Sequence, residues 1–290
     1  MKLRALPMAV VVLSWLAGSV RAGTIDFLTA DPFGVLGEAG VTNTGPSTIY
    51  GSVAGSTGTP AVTGFTFSTS PGPGTVVPPG VGYTTGVMNA GTGTPFGDAT
   101  TAYNDAQGMG ALPLSGVLGS GGSIPELTPG VYSFSSTAQL TGTLMLNALG
   151  SDDASWTFLV GSGLTTASAS TVEIVNTGSA GEYTGSITWA VTSAATLGTT
   201  TTFLGTIVSQ AGVVLDTGAT IGCGRAISLD ASVSLDDNVI DAFPADCAVS
   251  SSSAPITGPA PVPEPGTFAL LPSGLLALAF LTFRKPRVPR

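Results

Sequence analysis

Apolar and polar positions alternate over short runs along most of this chain. Thr48–Tyr50, Val131–Phe134, Leu144–Leu146, Ser155–Val160, Val172–Val175 and Ile187–Val191 are rich in β-branched and aromatic residues, and that pattern predicts strands. Gly, Thr and Ser fill the intervals. One segment has a different period: between Pro95 and Met109, Ala and Tyr recur at helical spacing and Gly108 closes the run. The spacing predicts a single helix over Pro95–Met109, with Asp98 as candidate N-cap.

The strand-like runs repeat. Leu164-Thr-Thr-Ala-Ser-Ala-Ser-Thr-Val, Leu197-Gly-Thr-Thr-Thr-Thr-Phe-Leu and Leu215-Asp-Thr-Gly-Ala-Thr-Ile-Gly share a pattern. Each begins with Leu, has Thr two places on, a small or hydroxylated residue four places on, and then a β-branched or aromatic residue. Leu235-Asp-Asp-Asn-Val-Ile begins a fourth copy, and Val41-Thr-Asn-Thr-Gly-Pro-Ser-Thr-Ile-Tyr-Gly is an N-terminal one. Steps of 18 and 20 residues separate Leu197, Leu215 and Leu235. A period near 20 with strand propensity fits one coil of an all-β parallel β-solenoid, in which each coil buries its apolar face on the next. The competing reading is an antiparallel sandwich, which would favour Asn-Gly or Asp-Gly hairpin turns; the chain contains none.

Both termini have the composition of export segments. Residues 1–22 combine Lys2 and Arg4, an apolar stretch over Ala9–Ala17, and small residues at Val20 and Ala22. That order predicts a signal peptide, with a buried N-terminal helix as the alternative. At the other end, residues 250–263 form a Ser/Pro linker. Residues 264–290 follow with an apolar run of 17 residues, Thr267–Phe283, and then a basic tail. Pro263-Glu264-Pro265, apolar helix and basic tail together resemble a PEP-CTERM sorting signal. The resemblance implies removal by an exosortase-type protease after a transient stay of the helix in the membrane; an ordinary tail anchor is the alternative. The folded body is therefore expected over residues 23–249, secreted or at the cell surface.

Of the eight basic residues, only Arg225 lies outside the two terminal segments, against 17 acidic ones between Asp26 and Glu264. Nucleic acid as a partner, which needs clustered Lys and Arg, is close to excluded. The chain has no histidine, which removes the commonest general base and metal ligand. Cys223 and Cys247 are the two cysteines. In an oxidising compartment a disulfide between them is expected, with two buried thiols as the alternative.

Several segments are similar to the bacterial and fungal ice-binding-like (antifreeze-like) family: Val41–Val53; Thr101-Ala-Tyr-Asn-Asp-Ala; Leu127-Thr-Pro-Gly-Val-Tyr-Ser-Phe with Ala138-Gln-Leu-Thr-Gly-Thr-Leu; and Ala195–Ile207 with Thr217-Gly-Ala-Thr-Ile and Gly224-Arg-Ala. The resemblance implies a discontinuous right-handed β-solenoid of triangular section with one long α-helix packed alongside. It also implies that the first and last coils are neighbours and that one flat face binds ice, with no cofactor. An ice binder needs a stiff, uncharged surface with methyl and hydroxyl groups at regular spacing, and Thr supplies both with little rotamer freedom to lose. The candidate face takes the positions two and four after each repeat Leu: Thr166 and Ser168, Thr199 and Thr201, Thr217 and Ala219, with Thr44 and Ser47 from the N-terminal copy. Each of these residues has an ordinary alternative as a solvent-facing or turn residue.

Two other classes compete. A surface or biofilm-matrix module, in contact with exopolysaccharide, suits the same low charge and hydroxyl content. A polysaccharide-cleaving enzyme would need clustered carboxylates, and the acidic doublets Asp152-Asp153 and Asp236-Asp237 lie in turn-like sequence. A weak calcium site at Asp236, Asp237 and Asp241 has no supporting repeat motif, and no Gly-x-Ser-x-Gly elbow is present. The chain is expected not to be an enzyme and to hold no metal.

Overall fold

The structure is a computed structural model that describes residues 24–55, 62–67, 75–77, 95–178 and 183–242. The chain divides into units Met1–Ala254 and Pro255–Arg290, and all the described residues belong to the first. The expected signal segment, Cys247, the Ser/Pro linker, Pro263, Glu264, Pro265 and the apolar tail lie outside the described residues. Among the described residues, no helix is long and apolar enough to cross a membrane.

The described strands form three sheets, and the strand pairs are parallel throughout. In spatial order, the first sheet comprises Ser52–Gly55, Phe33–Gly37, Ala226–Ser228, Thr206–Ser209, Ile187–Val191, Trp156–Val160, Gly130–Phe134 and Leu112–Leu114. The second comprises Ala138–Leu140, Leu164–Thr166, Ala195–Leu197, Val213–Leu215, Ser232–Leu235, Gly40–Asn43 and Val62–Thr63. The third begins Thr66–Phe67, Thr75–Val77, Thr48–Tyr50 and Val239–Asp241. It continues Thr220–Gly222, Thr202–Leu204, Thr171–Val175, Thr143–Asn147 and Glu126–Leu127. From Gly130 onward the chain visits the first, second and third sheets in turn and then repeats the circuit. Every run named as a strand from the sequence contains a strand here, with Ser155 left just outside Trp156–Val160, because alternation in this chain reflects an inner and an outer face.

Successive circuits stack apolar on apolar. Tyr132, Phe158 and Trp189 stack on successive strands of the first sheet, with ring centroids 5.9 and 3.8 Å apart, and Phe203 of the third sheet packs on Trp189 within one circuit at 5.0 Å. Trp156 and Trp189 are fully buried, and their indole N–H groups donate to the carbonyls of Leu127 and Leu204. Aromatic burial of this size carries much of the stability of such a core.

The largest departure of stacking order from chain order joins the N-terminal strands to the last ones. Phe33–Gly37, Gly40–Asn43 and Thr48–Tyr50 pair with Ala226–Ser228, Ser232–Leu235 and Val239–Asp241 respectively. The first circuit is therefore laid on the last.

The helix spans Pro95–Gln107, two residues shorter than the sequence suggests. It covers the outer face of the first sheet: Phe96, Ala99, Ala102, Tyr103 and Ala106 pack with Val131, Leu159, Ala190, Val208 and Ile227 in a second apolar cluster. Tyr103 and Thr192 share a hydroxyl hydrogen bond of 3.2 Å. Asp98 is not the N-cap. It lies inside the first turn, and its carboxylate accepts from the Thr29 N–H at 3.0 Å and from the Thr29 hydroxyl, tying the N-terminal segment to the helix. With the first sheet covered in this way, the second and third sheets are left to present outer faces.

Candidate functional site

The inner strands of the second sheet are three or four residues long, and their side chains point in, out and in. The outward residues fall in one register: Gln139, Thr165, Thr196, Val214, Ser234, Thr42 and Thr63 lie on successive strands. Strand spacing puts neighbours in this file about 4.8 Å apart. Gln139, Thr165, Val214 and Thr42 are exposed and the other three partly so. None is charged, and four of the seven are Thr. Val214, which has nearly the shape of Thr, keeps the methyl pattern and leaves 36% of its surface in solvent. The Thr42 hydroxyl donates to Ser234 Oγ at 3.4 Å. The sequence signal for this file was present in the apolar–polar–apolar triplets Ala138-Gln-Leu and Ala195-Thr-Leu, where the middle residue must face out.

The residues singled out from the repeat divide into two groups. Ser168, Thr199, Thr217 and Thr44 are exposed where the chain leaves the second sheet for the third. Ser47, Thr166, Thr201 and Ala219 are buried, and they do not belong to any outer face. Thr201 and Ala219 belong to copies that do pair at Leu197 and Leu215, and they are buried because they lie inside the corner past the strand, whereas the first and N-terminal copies are out of register. Leu164 pairs with Ala195, so Thr166, not Leu164, lies opposite Leu197, and Asn43, not Val41, lies opposite Leu235. A shift of two residues keeps inside and outside unchanged in a strand, so both alignments fit the apolar pattern equally well.

The buried members form a polar row inside the corner between the second and third sheets, where they satisfy backbone groups that no ladder reaches. Thr166 and Thr201 join their hydroxyls at 2.8 Å, and the Gly198 N–H donates to Thr166 Oγ1 at 2.8 Å. Ser170 donates to the Leu140 carbonyl at 3.3 Å. Asn238 donates to the carbonyls of Asp216 and Ala219, both at 2.9 Å, and its N–H donates to Ser47 Oγ at 2.8 Å. Ser47 in turn donates to Asn43 Oδ1 at 2.7 Å.

The corner itself is left-handed in four consecutive layers: Ala169, Thr200, Gly218 and Asp237 have φ of 57, 55, 73 and 54°. That conformation aims the N–H groups of Ala169, Thr200 and Gly218 at the carbonyls of Thr199, Thr217 and Asp236, at 2.8, 3.0 and 3.1 Å.

Beyond the corner, the third sheet begins with its own outer row, Thr143, Thr171, Thr202, Thr220, Val239 and Thr48 in register. Two places further along, the same strands bring Glu173 and Asp241 into register with Met145 and Tyr50. The Tyr50 hydroxyl is held above its ordinary pKa by burial and by the Asp241 carboxylate. Charge therefore interrupts the third sheet, whereas the central file of the second sheet has none.

On the second sheet, acid lies only at the margin. Asp236 accepts from the Thr217 hydroxyl. A shallow concavity of about 340 Å³ is bounded by Thr42, Thr44, Thr199, Val214, Thr217 and Asp236, among others. Among the described residues, no group of three His, Cys, Asp or Glu side chains is placed to hold a metal. Cys223 is disulfide-bonded.

The sequence matches the ice-binding-like family over residues 35–241, and the chain belongs to that family. An ice-binding protein of Nostoc sp. (strain HG1) is 40% identical over 286 residues, covering 97% of this chain and 95% of the relative. One from Flavobacterium frigoris (strain PS1) is 30% identical over 225 residues, covering 71% of this chain and 73% of the relative. Among solved structures, the ice-binding protein of the Antarctic ascomycete Antarctomyces psychrotrophicus superposes with a TM-score of 0.62 at 28% identity. That match covers 76% of this chain and 99% of the other.

Proposed function

We propose that this protein adsorbs to ice through the outer face of its second sheet, with Thr165, Thr196, Val214, Ser234 and Thr42 as the contact file. Ser168, Thr199, Thr217 and Thr44 line its edge. The observation that carries this reading is the run of seven uncharged residues in one parallel register, with acid only where the chain enters or leaves the sheet, at Glu38 and Asp230 on one side and Asp216 and Asp236 on the other. Family membership and the names of the relatives support ice as the partner.

The physical argument is short. Ice offers no strong charge to pair with, so a charged side chain on the face would have to give up hydration without compensation. Short, stiff side chains lose little entropy on docking, and a parallel stack keeps their spacing fixed. The same surface has no nucleophile, base or cation arrangement suited to catalysis, and the role proposed is non-enzymatic.

The architecture belonging to this reading is a right-handed β-solenoid of triangular section with the helix alongside. The chain reaches the exterior through the signal segment 1–22. The body 23–249 is stapled by Cys223–Cys247, the linker is 250–263, and the tail 264–290 with Pro263-Glu264-Pro265 is processed by an exosortase-type protease. Its place is extracellular.

Single-crystal ice habit tests the function. The protein should facet growing crystals, and Thr196→Tyr, which sets a ring above the file, should abolish faceting while leaving the unfolding temperature within a few degrees. Round discs from the unmodified protein at high concentration would contradict ice binding. That outcome would leave a matrix role in contact with exopolysaccharide.

A further inference from the structure

We infer that the first circuit, Phe33–Tyr50, together with the strands stacked beyond it, is a separately opening module. It is docked on the last circuit and clasped there by Arg225. Three observations carry this.

The first is topological. Along most of the stack, neighbouring layers are joined by the turns of the chain itself, and side-chain hydrogen bonds across layers link residues 16 to 35 apart in sequence. Across the junction of first and last circuits they are 191 to 194 apart. No short turn of the chain joins these two layers, so their pairing lacks the local closure that the other layers have. The module also lies at one end of the stack, where a layered protein has neighbours on one side only and opens first.

The second is packing. The first circuit and the strand after it supply Val35, Val41, Ile49 and Val53 to the main core, facing Ala226, Val233, Leu235 and Ile240. The contiguous part of the stack supplies Trp156, Phe158, Trp189 and Phe203. Hydrophobic stabilisation scales with apolar area removed from water, so within the main core the junction is held by the smaller side chains, while Phe33 and Leu36 of the first circuit are buried in the second cluster beside Phe27 and Ile227.

The third is a dedicated fastening. Arg225 precedes Ala226–Ser228 of the last circuit, and Asp31 precedes Phe33–Gly37 of the first. Arg225 Nε and Nη2 donate to the Asp31 carbonyl at 3.0 and 2.8 Å, and Nη2 lies 3.2 Å from Asp31 Oδ1. The guanidinium also sits 5.9 Å from the centroid of the Phe27 ring. It is the one Lys or Arg between residues 22 and 283, and its forked geometry, not its charge alone, spans the junction. Opening the module removes Thr42 and Thr63 from the outer file of the second sheet, so that surface is complete only while the junction is shut.

Native-state hydrogen exchange on the intact protein tests this without reference to ice. Peptides covering residues 33–50 should exchange together, at least about tenfold faster than those covering 156–160 and 187–191. Arg225→Gln should speed exchange over 33–50 severalfold more and leave 187–191 unchanged. Arg225→Lys should behave like Arg225→Gln, because the fork is lost. Equal exchange over 33–50 and 187–191 in the unmodified protein would overturn the proposal whatever the variants do. Full rescue by Lys would overturn the clasp.

Discussion

Thr166 and Thr201 meet in the interior, their hydroxyl oxygens 2.8 Å apart on successive circuits. Thr166 also accepts from the Gly198 N–H, and Thr201 donates to the Ala167 carbonyl at 3.3 Å. Two residues that resemble surface alcohols in the sequence are internal fasteners of a corner. Replacing Thr201 by Val keeps the shape and removes the hydroxyl. The expected cost is about 1–2 kcal/mol, read from denaturant midpoints, with ice shaping unchanged. Loss of shaping at unchanged stability would return Thr201 to the outer face.

The left-handed corner carries a second expectation. Thr200 has φ of 55° and is exposed, and a β-branched residue adopts that conformation reluctantly. Asn tolerates it and can keep the N–H that donates to the Thr217 carbonyl. Thr200→Asn should raise stability by about 1 kcal/mol, seen as a higher unfolding temperature. A lower one would mean that the Thr200 side chain holds the corner.

Asp31 gives a pH dependence. Burial, the largest cause, raises its pKa above the ordinary 3.8; Arg225 opposes the rise and Asp26 adds to it. The folded state therefore holds the Asp31 proton more tightly than the unfolded state. The stability it contributes is fully present below the ordinary value and is lost as the pH rises through the folded one. Asp31→Asn keeps the carbonyl that Arg225 grips and removes the titration. Relative to this variant, the unmodified protein should lose unfolding temperature as the pH is raised from about 3 to 6. A relative gain over that range would mean that the ion pair outweighs burial.

The core makes a plainer prediction. Trp189 is fully buried and stacks on Phe158 at 3.8 Å. Trp189→Ala should cost about 3–5 kcal/mol, measured by chemical unfolding followed by Trp156 fluorescence. A cost under about 1 kcal/mol would mean that the aromatic stack is not the centre of the core.

Much of the fold was legible because alternation and stacking leave a periodic trace. Runs such as Trp156–Val160 and Ile187–Val191 announce themselves through β-branched and aromatic residues, and the steps between Leu197, Leu215 and Leu235 match the paired strands of the second sheet. The helix was visible because its period differs. The face was only half legible. Leu164 and Val41 suit the inner position as well as Thr166 and Asn43 do, so an alignment by eye slips by two residues without disturbing the apolar pattern. The turn after Leu235 is one residue shorter than the turn after Leu215, since Thr220 pairs with Val239. No local signal says whether a Thr in such a turn faces water or caps a carbonyl; that depends on the layer above, which is distant in sequence at Thr42 and Asn238.

Incorporation of labelled protein into a growing single crystal of ice, compared between the unmodified chain and Val214→Lys, tests the central claim most directly. Val214 sits mid-file with Thr196 on one side and Ser234 on the other, and a lysine there puts a hydrated charge where the lattice must approach. The unmodified protein should enter the ice while the variant, folded to the same extent, is excluded into the liquid. Equal incorporation of the two would show that the outer face of the second sheet is not the surface that meets ice.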